Sequence, residues 1–235
     1  IMPTIDHANK EITCKIVYYG PGLCGKTTNL EVIHRDVPGQ QKTSLVSLAT
    51  EKDRTLFFDF LPVTLGEIKG FKIKFQLYTV PGQVYYNATR KLVLGGVDGV
   101  VFVVDSQRSK LQENLEMMEN LRENLSEYRI DLNELPLVIQ WNKRDLPDIV
   151  PVEELTGLLN KRGAPGIESV AVEGQGVKDT LRSIATETLA RVGRRTSAST
   201  ETPKQAPTSS SGEKAAPEKA KKRGSIFKKK SAGNG

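Results

Sequence analysis

The sequence predicts an α/β fold, with a mostly parallel sheet of six to seven strands and helices on both faces. Two observations indicate this fold class. Short apolar runs rich in β-branched residues alternate along the chain with segments of helical periodicity, which is the pattern of repeated strand–helix units. In addition, Gly99–Asp105 is GVVFVVD, an almost continuous apolar run of the kind expected for a central strand covered on both faces.

The other elements follow in order along the chain. Apolar runs predict strands at Ile12–Tyr19, Thr55–Val63, Phe71–Thr79, Leu137–Trp141 and Ser169–Val172. The second and third of these are joined near Gly66–Gly70, a connection short enough for an antiparallel hairpin. Helical patterns occupy Lys26–Arg35, Ser109–Tyr128, Val150–Arg162 and Val177–Val192.

Composition divides the chain into an N-terminal extension (1–10), a folded domain (11–193) and a basic tail (194–235). The tail holds 11 of the 34 Lys and Arg residues and 3 of the 28 Asp and Glu residues, so its net charge is +8 and that of the remainder is −2. Its Pro, Ser and Lys content and scarcity of apolar residues predict disorder. The nearly neutral domain argues against specific nucleic-acid binding.

The cysteine content and the hydropathy of the chain predict a cytoplasmic protein. Cys14 and Cys24 fit no metal-ligand spacing and are expected to be free thiols in a reducing compartment. No apolar run reaches the ~20 residues that span a bilayer. The N-terminus shows no signal-peptide pattern.

A phosphate-binding loop is the first functional motif. Residues 20–27, GPGLCGKT, match the pattern G-x-x-x-x-G-K-[ST] between a predicted strand and a predicted helix. In such a loop, backbone N–H groups wrap nucleotide phosphates, glycines allow close approach, and the helix N-terminus adds favourable charge. Lys26 is expected to reach the β- and γ-phosphates, and Thr27 to bind Mg²⁺. The predicted phosphate-binding residues are Gly20, Gly22, Leu23, Cys24, Gly25, Lys26, Thr27, Thr28 and Gly82.

A base-reading motif follows a later buried strand. Asn142–Asp145 is NKRD, which matches the N-K-x-D pattern of guanine-specific sites. Asp145 can accept hydrogen bonds from guanine N1–H and its amino group, whereas adenine would leave this carboxylate unpaired. Lys143 can lay its stem against the base. Ala171 lies either in a third base-contacting loop or in an ordinary strand-to-helix turn. The predicted guanine-binding residues are Asn142, Lys143, Asp145 and Ala171.

These motifs resemble the Ras superfamily of P-loop GTPases, and more closely its MglA group of bacterial small GTPases. The resemblance rests on the segments 20–30 (GPGLCGKTTNL), 53–60 (DRTLFFDF), 77–83 (LYTVPGQ) and 142–147 (NKRDLP). It implies a Ras-like P-loop GTPase domain that binds GTP or GDP with Mg²⁺ and hydrolyses GTP slowly. It implies a switch for bacterial cell polarity and gliding or twitching motility. It also implies a dimeric roadblock-domain activator of the MglB type, motility effectors, and recruitment to a cell pole or the inner membrane surface.

One position departs from most of the superfamily. Thr79 stands where an aspartate usually supports Mg²⁺ through a water. The metal would then rely on Thr27, Thr55, phosphate oxygens and waters. Asp59 either contributes through a water or is a solvated strand residue.

Two residues are predicted to be catalytic. The resemblance implies that Gln83 orients the attacking water and that Arg54 is an arginine finger supplied by the enzyme itself. From the sequence alone, Arg54 could equally be a solvated loop cation. Gly22 is expected at a point where a side chain would crowd Gln83 and Arg54.

Two other functions are compatible with parts of the sequence. A non-hydrolysing nucleotide-binding scaffold is compatible with Thr79, but the retention of Gln83 and Arg54 argues against it. An Arf-like membrane-trafficking GTPase is disfavoured by the absence of a predicted lipidation site and of an N-terminal amphipathic helix. In the tail, residues 224–230 (GSIFKKK) either bind an anionic surface or acidic partner, or only increase solubility.

Overall fold

Repeated strand–helix units form one sheet with helices on either side. The computed structural model describes residues 3–38, 44–48 and 58–198. The strands in these ranges are β1 (Thr4–Asp6), β2 (Glu11–Tyr19), β3 (Val46–Leu48), β4 (Phe58–Ile68), β5 (Phe71–Thr79), β6 (Gly99–Asp105), β7 (Leu137–Asn142) and β8 (Gly166–Glu168). The helices are α1 (Lys26–Asp36), α2 (Asn87–Leu94), α3 (Leu111–Glu127), α4 (Val152–Leu159) and α5 (Val177–Ala198).

The sheet order is β3-β4-β5-β2-β6-β7-β8, and β1 pairs with β2 outside this path. Strands β5, β2, β6, β7 and β8 are parallel, whereas β3–β4, β4–β5 and β1–β2 are antiparallel pairs. The predicted α/β fold with a mostly parallel sheet is therefore confirmed. The two strands that were not predicted, β1 and β3, have three residues each, too few for a period-2 pattern to be detected.

Apolar side chains alternate between the two faces of the central strands. On β6, Phe102 belongs to the apolar cluster that includes side chains of α2, α3 and α4, and its neighbour Val101 belongs to the cluster that includes side chains of α1 and α5. Both residues are fully buried. This two-sided burial explains the unbroken apolar sequence of β6 and holds the carboxyl ends of the parallel strands in fixed positions. In the part of the chain that the structure describes, no helix combines the length and apolar character needed to cross a membrane.

The hairpin turn is shorter than predicted. Lys69 and Gly70, with φ of 51° and 78°, form the turn between β4 and β5. Gly66 lies within β4, where the pairing register shifts between Thr64 and Glu67. The glycine that suggested the start of the turn therefore accommodates a strand irregularity instead.

Several predicted elements have other ends in the structure; β4, for example, continues to Ile68, beyond the predicted end at Val63. The last strand was predicted at Ser169–Val172, but β8 is Gly166–Glu168 and Ala171–Glu173 is a short 3₁₀ helix. Helix α4 spans Val152–Leu159 and is shorter than predicted at both ends. Helix α5 continues to Ala198, so the predicted tail boundary at residue 194 lies inside it. A single glycine, Gly193, costs about 1 kcal/mol in a helix, which is too little to end a long one. The predicted tail from residue 199 onward lies outside the described residues.

Candidate nucleotide-binding site

The predicted phosphate loop connects β2 to α1 at the carboxyl edge of the parallel strands. Two of its glycines are required by close contacts. A Cβ on Gly20 would lie 2.2 Å from the carbonyl oxygen of Val103, and one on Gly25 would lie 2.3 Å from Asn142 Nδ2. Both residues also have positive φ, of 146° and 102°. The loop therefore needs glycine at both ends in order to lie against β6 and β7.

Lys26 supplies the positive charge of this loop. Its side chain is 7% exposed, and its Nζ donates to the carbonyl oxygens of Pro21 at 2.6 Å and Gly20 at 3.0 Å. The first turn of α1 contains no acidic residue that would oppose an anion. The buried ammonium, the helix N-terminus and the loop amides together favour a bound phosphate.

Asn142 joins the phosphate loop to the base-reading loops. Its Nδ2 donates to the carbonyl oxygen of Cys24 at 2.8 Å, and its Oδ1 accepts from the backbone N–H of Ala171 at 3.0 Å. Asn142 is 2% exposed. A single amide therefore fixes three segments that are far apart in sequence. The Ala171 amide takes part in this link, and its contact with a guanine stays a prediction.

A second polar link was not predicted from the sequence. Lys143 Nζ lies 2.7 Å from Asp105 Oδ2, and the Asp105 side chain is completely buried. This ion pair holds the Lys143 stem beside the base site. Asp105 could have been found as a carboxylate at the carboxyl end of a buried strand, the edge at which ligands bind in parallel sheets.

The predicted guanine-binding residues share one cavity. It has a volume of about 250 Å³ and opens next to the phosphate loop. Besides these four residues, its lining includes side chains that were not predicted to contact the base, Leu146 and Val172. Its lining residues are Leu23, Gly25, Thr28, Asn142, Lys143, Asp145, Leu146, Ala171 and Val172.

Asp59 lies beside the threonine that is predicted to bind the metal. The hydroxyl of Thr27 donates to Asp59 Oδ2 at 2.6 Å, and the hydroxyl of Thr79 donates to the same oxygen at 2.9 Å. The backbone N–H of Asp59 donates to Thr79 Oγ1 at 2.9 Å. Asp59 is 9% exposed, so the interpretation of this residue as a solvated strand residue is wrong. A carboxylate is present near Thr27, but it comes from β4 rather than from position 79.

These donors fit a magnesium ion. Mg²⁺ prefers hard oxygen ligands and in nucleotide sites is held by one or two protein oxygens together with phosphates and waters. The Thr27 hydroxyl can offer a lone pair to the metal while its O–H continues to donate to Asp59. The remaining ligands would come from the nucleotide and water. Among the described residues, no cluster of three or more His, Cys, Asp or Glu side chains forms a separate metal cage.

The segment that carries Gln83 packs directly on the phosphate loop. A Cβ on Gly82 would lie 2.3 Å from both the backbone nitrogen of Gly22 and the carbonyl carbon of Pro21. By contrast, a Cβ on Gly22 would have no heavy atom of the described residues within 4 Å. A methyl group at Gly22 therefore has room among the described residues, whereas Gly82 has none; the crowding of Gln83 and Arg54 by a longer side chain at Gly22 stays a prediction.

Two predicted residues cannot be placed in this geometry. Arg54 and Thr55 lie outside the described residues. Their roles as arginine finger and metal-sensing threonine stay predictions.

Comparison with known proteins agrees with the fold. The family model of the ADP-ribosylation factors matches residues 1–188. The mutual gliding-motility protein MglA of Myxococcus xanthus (strain DK1622) is 60% identical over 184 residues, which cover 78% of this chain and 94% of that protein. The Ras-related protein Rab2BV of Beta vulgaris is 24% identical over 186 residues, 78% of each chain. ADP-ribosylation factor-like protein 6 of Caenorhabditis elegans is 27% identical over 178 residues, 71% of this chain and 89% of the relative.

The fold, the phosphate loop and the guanine motif are those of a P-loop GTPase. This chain belongs to the ADP-ribosylation factor family within the Ras-like small GTPases. It is a GTP hydrolase, and the resemblance to the MglA group is confirmed by the identity to the Myxococcus protein over nearly all of that protein's length.

Proposed function

We propose that this chain is a GTP-dependent switch for bacterial gliding or twitching motility and cell polarity. The observation that supports this proposal is the 60% identity to a protein named for gliding motility, over 94% of that protein. The segments that would respond to GTP are the one around Arg54 and Thr55 and the one from Pro81 to Arg90. Effectors would read the conformation of these two segments.

We propose the following roles for the site residues, from the sequence motifs and, for the described residues, from their contacts. Asp145 accepts from the guanine base, Lys26 neutralises phosphate charge, and Thr27 holds Mg²⁺ with the support of Asp59. When bound, the metal neutralises charge on the β- and γ-phosphate oxygens. Gln83 orients the attacking water, and Arg54 stabilises charge that develops on the γ-phosphate.

Asp59 also weakens the case for a non-hydrolysing scaffold. That alternative depended on the loss of a carboxylate at position 79. The hydrogen bonds of Asp59 to Thr27 and Thr79 show that a carboxylate reaches the same place from the neighbouring strand.

The proposed regulator is a dimeric roadblock-domain protein of the MglB type that orders Arg54 and Gln83. Membership of the small GTPase family supports regulators and effectors in general. We further propose a cytoplasmic protein that is recruited to a cell pole or to the inner membrane surface. The +8 net charge of residues 194–235 favours attraction to an anionic membrane.

The direct test is phosphate release from bound GTP, measured in a single turnover with and without a cognate roadblock protein. We expect slow release by the protein alone and acceleration by the partner, which is lost in Arg54→Ala. Gln83→Leu should retain guanine nucleotide binding but lose hydrolysis. A rate that does not respond to any roadblock protein from the same organism would contradict the proposed regulation. Polar localisation of a fluorescent fusion, lost on deletion of residues 199–235, would test the role of the tail.

A further inference from the structure

A buried arginine of α2 holds the backbone on both sides of Gly82. Arg90 is 3% exposed. Its Nη1 donates to the carbonyl oxygen of Gln83 at 2.5 Å and to that of Pro81 at 3.2 Å. A guanidinium presents its N–H groups in a planar fork with fixed directions. Arg90 can therefore hold both carbonyl groups and a third acceptor at the same time.

The third acceptor belongs to α3. Arg90 Nε donates to Asn120 Oδ1 at 2.9 Å, and the hydroxyl of Tyr19 donates to the same oxygen at 2.7 Å. Asn120 Nδ2 donates to Asn87 Oδ1 at 3.0 Å. Asn124, 1% exposed, donates to Tyr19 Oη and to Asn87 Oδ1, each at 3.0 Å. A connected set of buried and half-buried polar groups thus holds the guanidinium on the side away from Pro81 and Gln83.

This polar cluster reaches the phosphate loop through Tyr19. Tyr19 is the last residue of β2 and directly precedes Gly20. Burial raises the pKa of Tyr19 to about 12, so its hydroxyl keeps its proton at neutral pH and remains a donor. The cluster therefore connects the residue that enters the phosphate loop with the segment that carries Gln83.

The packing at Gly82 leaves little room for that segment to shift. A Cβ on Gly82 would lie 2.3 Å from the Gly22 nitrogen, so Gly82 already contacts the phosphate loop. Arg90 bonds to the carbonyl groups on either side of this contact. The hydrogen bonds of Arg90 and the close contact at Gly82 together fix the distance between the Gln83 backbone and the phosphate loop.

We propose that Arg90, held in place by Asn120, is a positioning residue for GTP hydrolysis. It fixes the backbone of Pro81–Gln83 against the phosphate loop, and the side chain of Gln83 is thereby aimed at the attacking water. The hydrogen bonds of Arg90 to Pro81 and Gln83 end on backbone carbonyl groups, so its action on the reaction passes through Gln83. The inference rests on the proposed role of Gln83.

The test compares single-turnover GTP hydrolysis with the Kd for a fluorescent GDP analogue. Arg90→Lys retains the charge but loses the planar fork. We expect its hydrolysis rate to fall roughly 10- to 100-fold, the effect of a misplacement of about 1 Å, with Kd changed by less than about threefold. Arg122→Lys, at an exposed α3 arginine paired with Glu119, is the matched control and should hydrolyse at the wild-type rate.

A double variant separates positioning from general destabilisation. If Arg90 acts through Gln83, adding Arg90→Lys to Gln83→Leu should not lower the slow residual single-turnover rate of Gln83→Leu any further. Multiplicative losses in the double variant, an unchanged rate in Arg90→Lys, or a Kd that weakens as much as the rate falls would each overturn the inference.

Two further outcomes are distinguishable. If Gln83→Leu hydrolyses at the wild-type rate, the proposed role of Gln83 fails and this inference fails with it. If Gln83→Leu is inactive while Arg90→Lys is fully active, the inference alone fails. Should Arg90→Lys not fold, as judged by circular dichroism, Asn120→Ala decides the question. That variant leaves the arginine in place and should show the same fall in rate at nearly constant Kd, whereas an unchanged rate would overturn the proposal.

Discussion

Thr27 and Asp59 are joined by a 2.6 Å hydrogen bond between β4 and the start of α1, 32 residues apart in sequence. The same carboxylate oxygen accepts from Thr79 at 2.9 Å. The neutral residue at position 79 thus serves as a support for an acidic residue on the adjacent strand. A negative charge that would stabilise a metal beside Thr27 is therefore present, but it comes from residue 59 instead of residue 79.

Asp59→Asn should weaken the effect of Mg²⁺ on nucleotide binding. The amide keeps the shape of the side chain but removes its negative charge, so the metal loses a stabilising partner. In the presence of Mg²⁺, we expect nucleotide to dissociate from Asp59→Asn about 10- to 100-fold faster than from the wild type. In EDTA the two proteins should dissociate at similar rates. Stopped-flow release of a fluorescent GDP analogue in each buffer measures both, and an unchanged ratio of the two rates would contradict the role of Asp59.

A strand-to-strand exchange is the control for this prediction. Asp59→Thr combined with Thr79→Asp returns the carboxylate to the position it has in most of the Ras superfamily. We expect the double variant to recover part of the Mg²⁺ dependence that Asp59→Thr alone loses. Recovery would show that the location of the charge matters, and not the identity of residue 59.

Gly25→Ala should destabilise the fold and abolish nucleotide binding. A methyl group at this position would lie 2.3 Å from Asn142 Nδ2, and φ is 102°. A residue held in such a backbone region costs about 1–3 kcal/mol, and displacement of Asn142 would separate the phosphate loop from the base loops. Gly22→Ala is the matched control, because a Cβ there would meet no heavy atom of the described residues within 4 Å.

Urea unfolding of the two glycine variants provides the measurement. Gly25→Ala should show a clearly lower midpoint, and Gly22→Ala a midpoint close to that of the wild type. Equal destabilisation by both variants would mean that the contact with Asn142 does not limit residue 25.

The two nucleotide motifs could be predicted because their chemistry is local. The glycines and Lys26 of the phosphate loop are contiguous, and Asp145 needs only a loop that follows a buried strand. The support from Asp59 depends instead on strand pairing. Phe60 pairs with Tyr78 in the β4–β5 ladder, which brings Asp59 opposite Thr79, and this register cannot be derived from either strand alone.

The polar cluster around Arg90 could not be predicted for a similar reason. Asn120 and Asn124 are one helical turn apart on α3, but their partners lie on α2 and β2.

The last strand was placed wrongly at Ser169–Val172 because two valines give this segment a high strand propensity. Pairing with β7 uses Gly166–Glu168 instead, and tertiary context overrides propensity there.

Asp145→Asn should change which purine the protein selects. Guanine presents two donors to the carboxylate, whereas xanthine replaces the amino group by a carbonyl oxygen, which the amide NH₂ of asparagine can match. We expect GTP affinity to fall by at least about 100-fold, since one of the two guanine donors is left without an acceptor, and xanthosine triphosphate to bind better than GTP. Competition against a fluorescent GDP or xanthosine diphosphate analogue measures this preference. Retained GTP selectivity would exclude Asp145 as the base-reading residue.

Both cysteines should resist alkylation in the folded protein. Cys14 and Cys24 have no exposed surface, and burial raises the pKa of each thiol, that of Cys14 to about 12. Since the thiolate is the reactive form, raising the pH from 7 to 9 should not produce labelling by iodoacetamide as long as the fold persists. In 8 M urea, both thiols should return to ordinary pKa values and react, which mass spectrometry would detect as two added groups. Labelling of Cys24 at pH 7.5 in the native protein, suppressed by bound GDP, would instead identify the phosphate loop as open to solvent at that thiol.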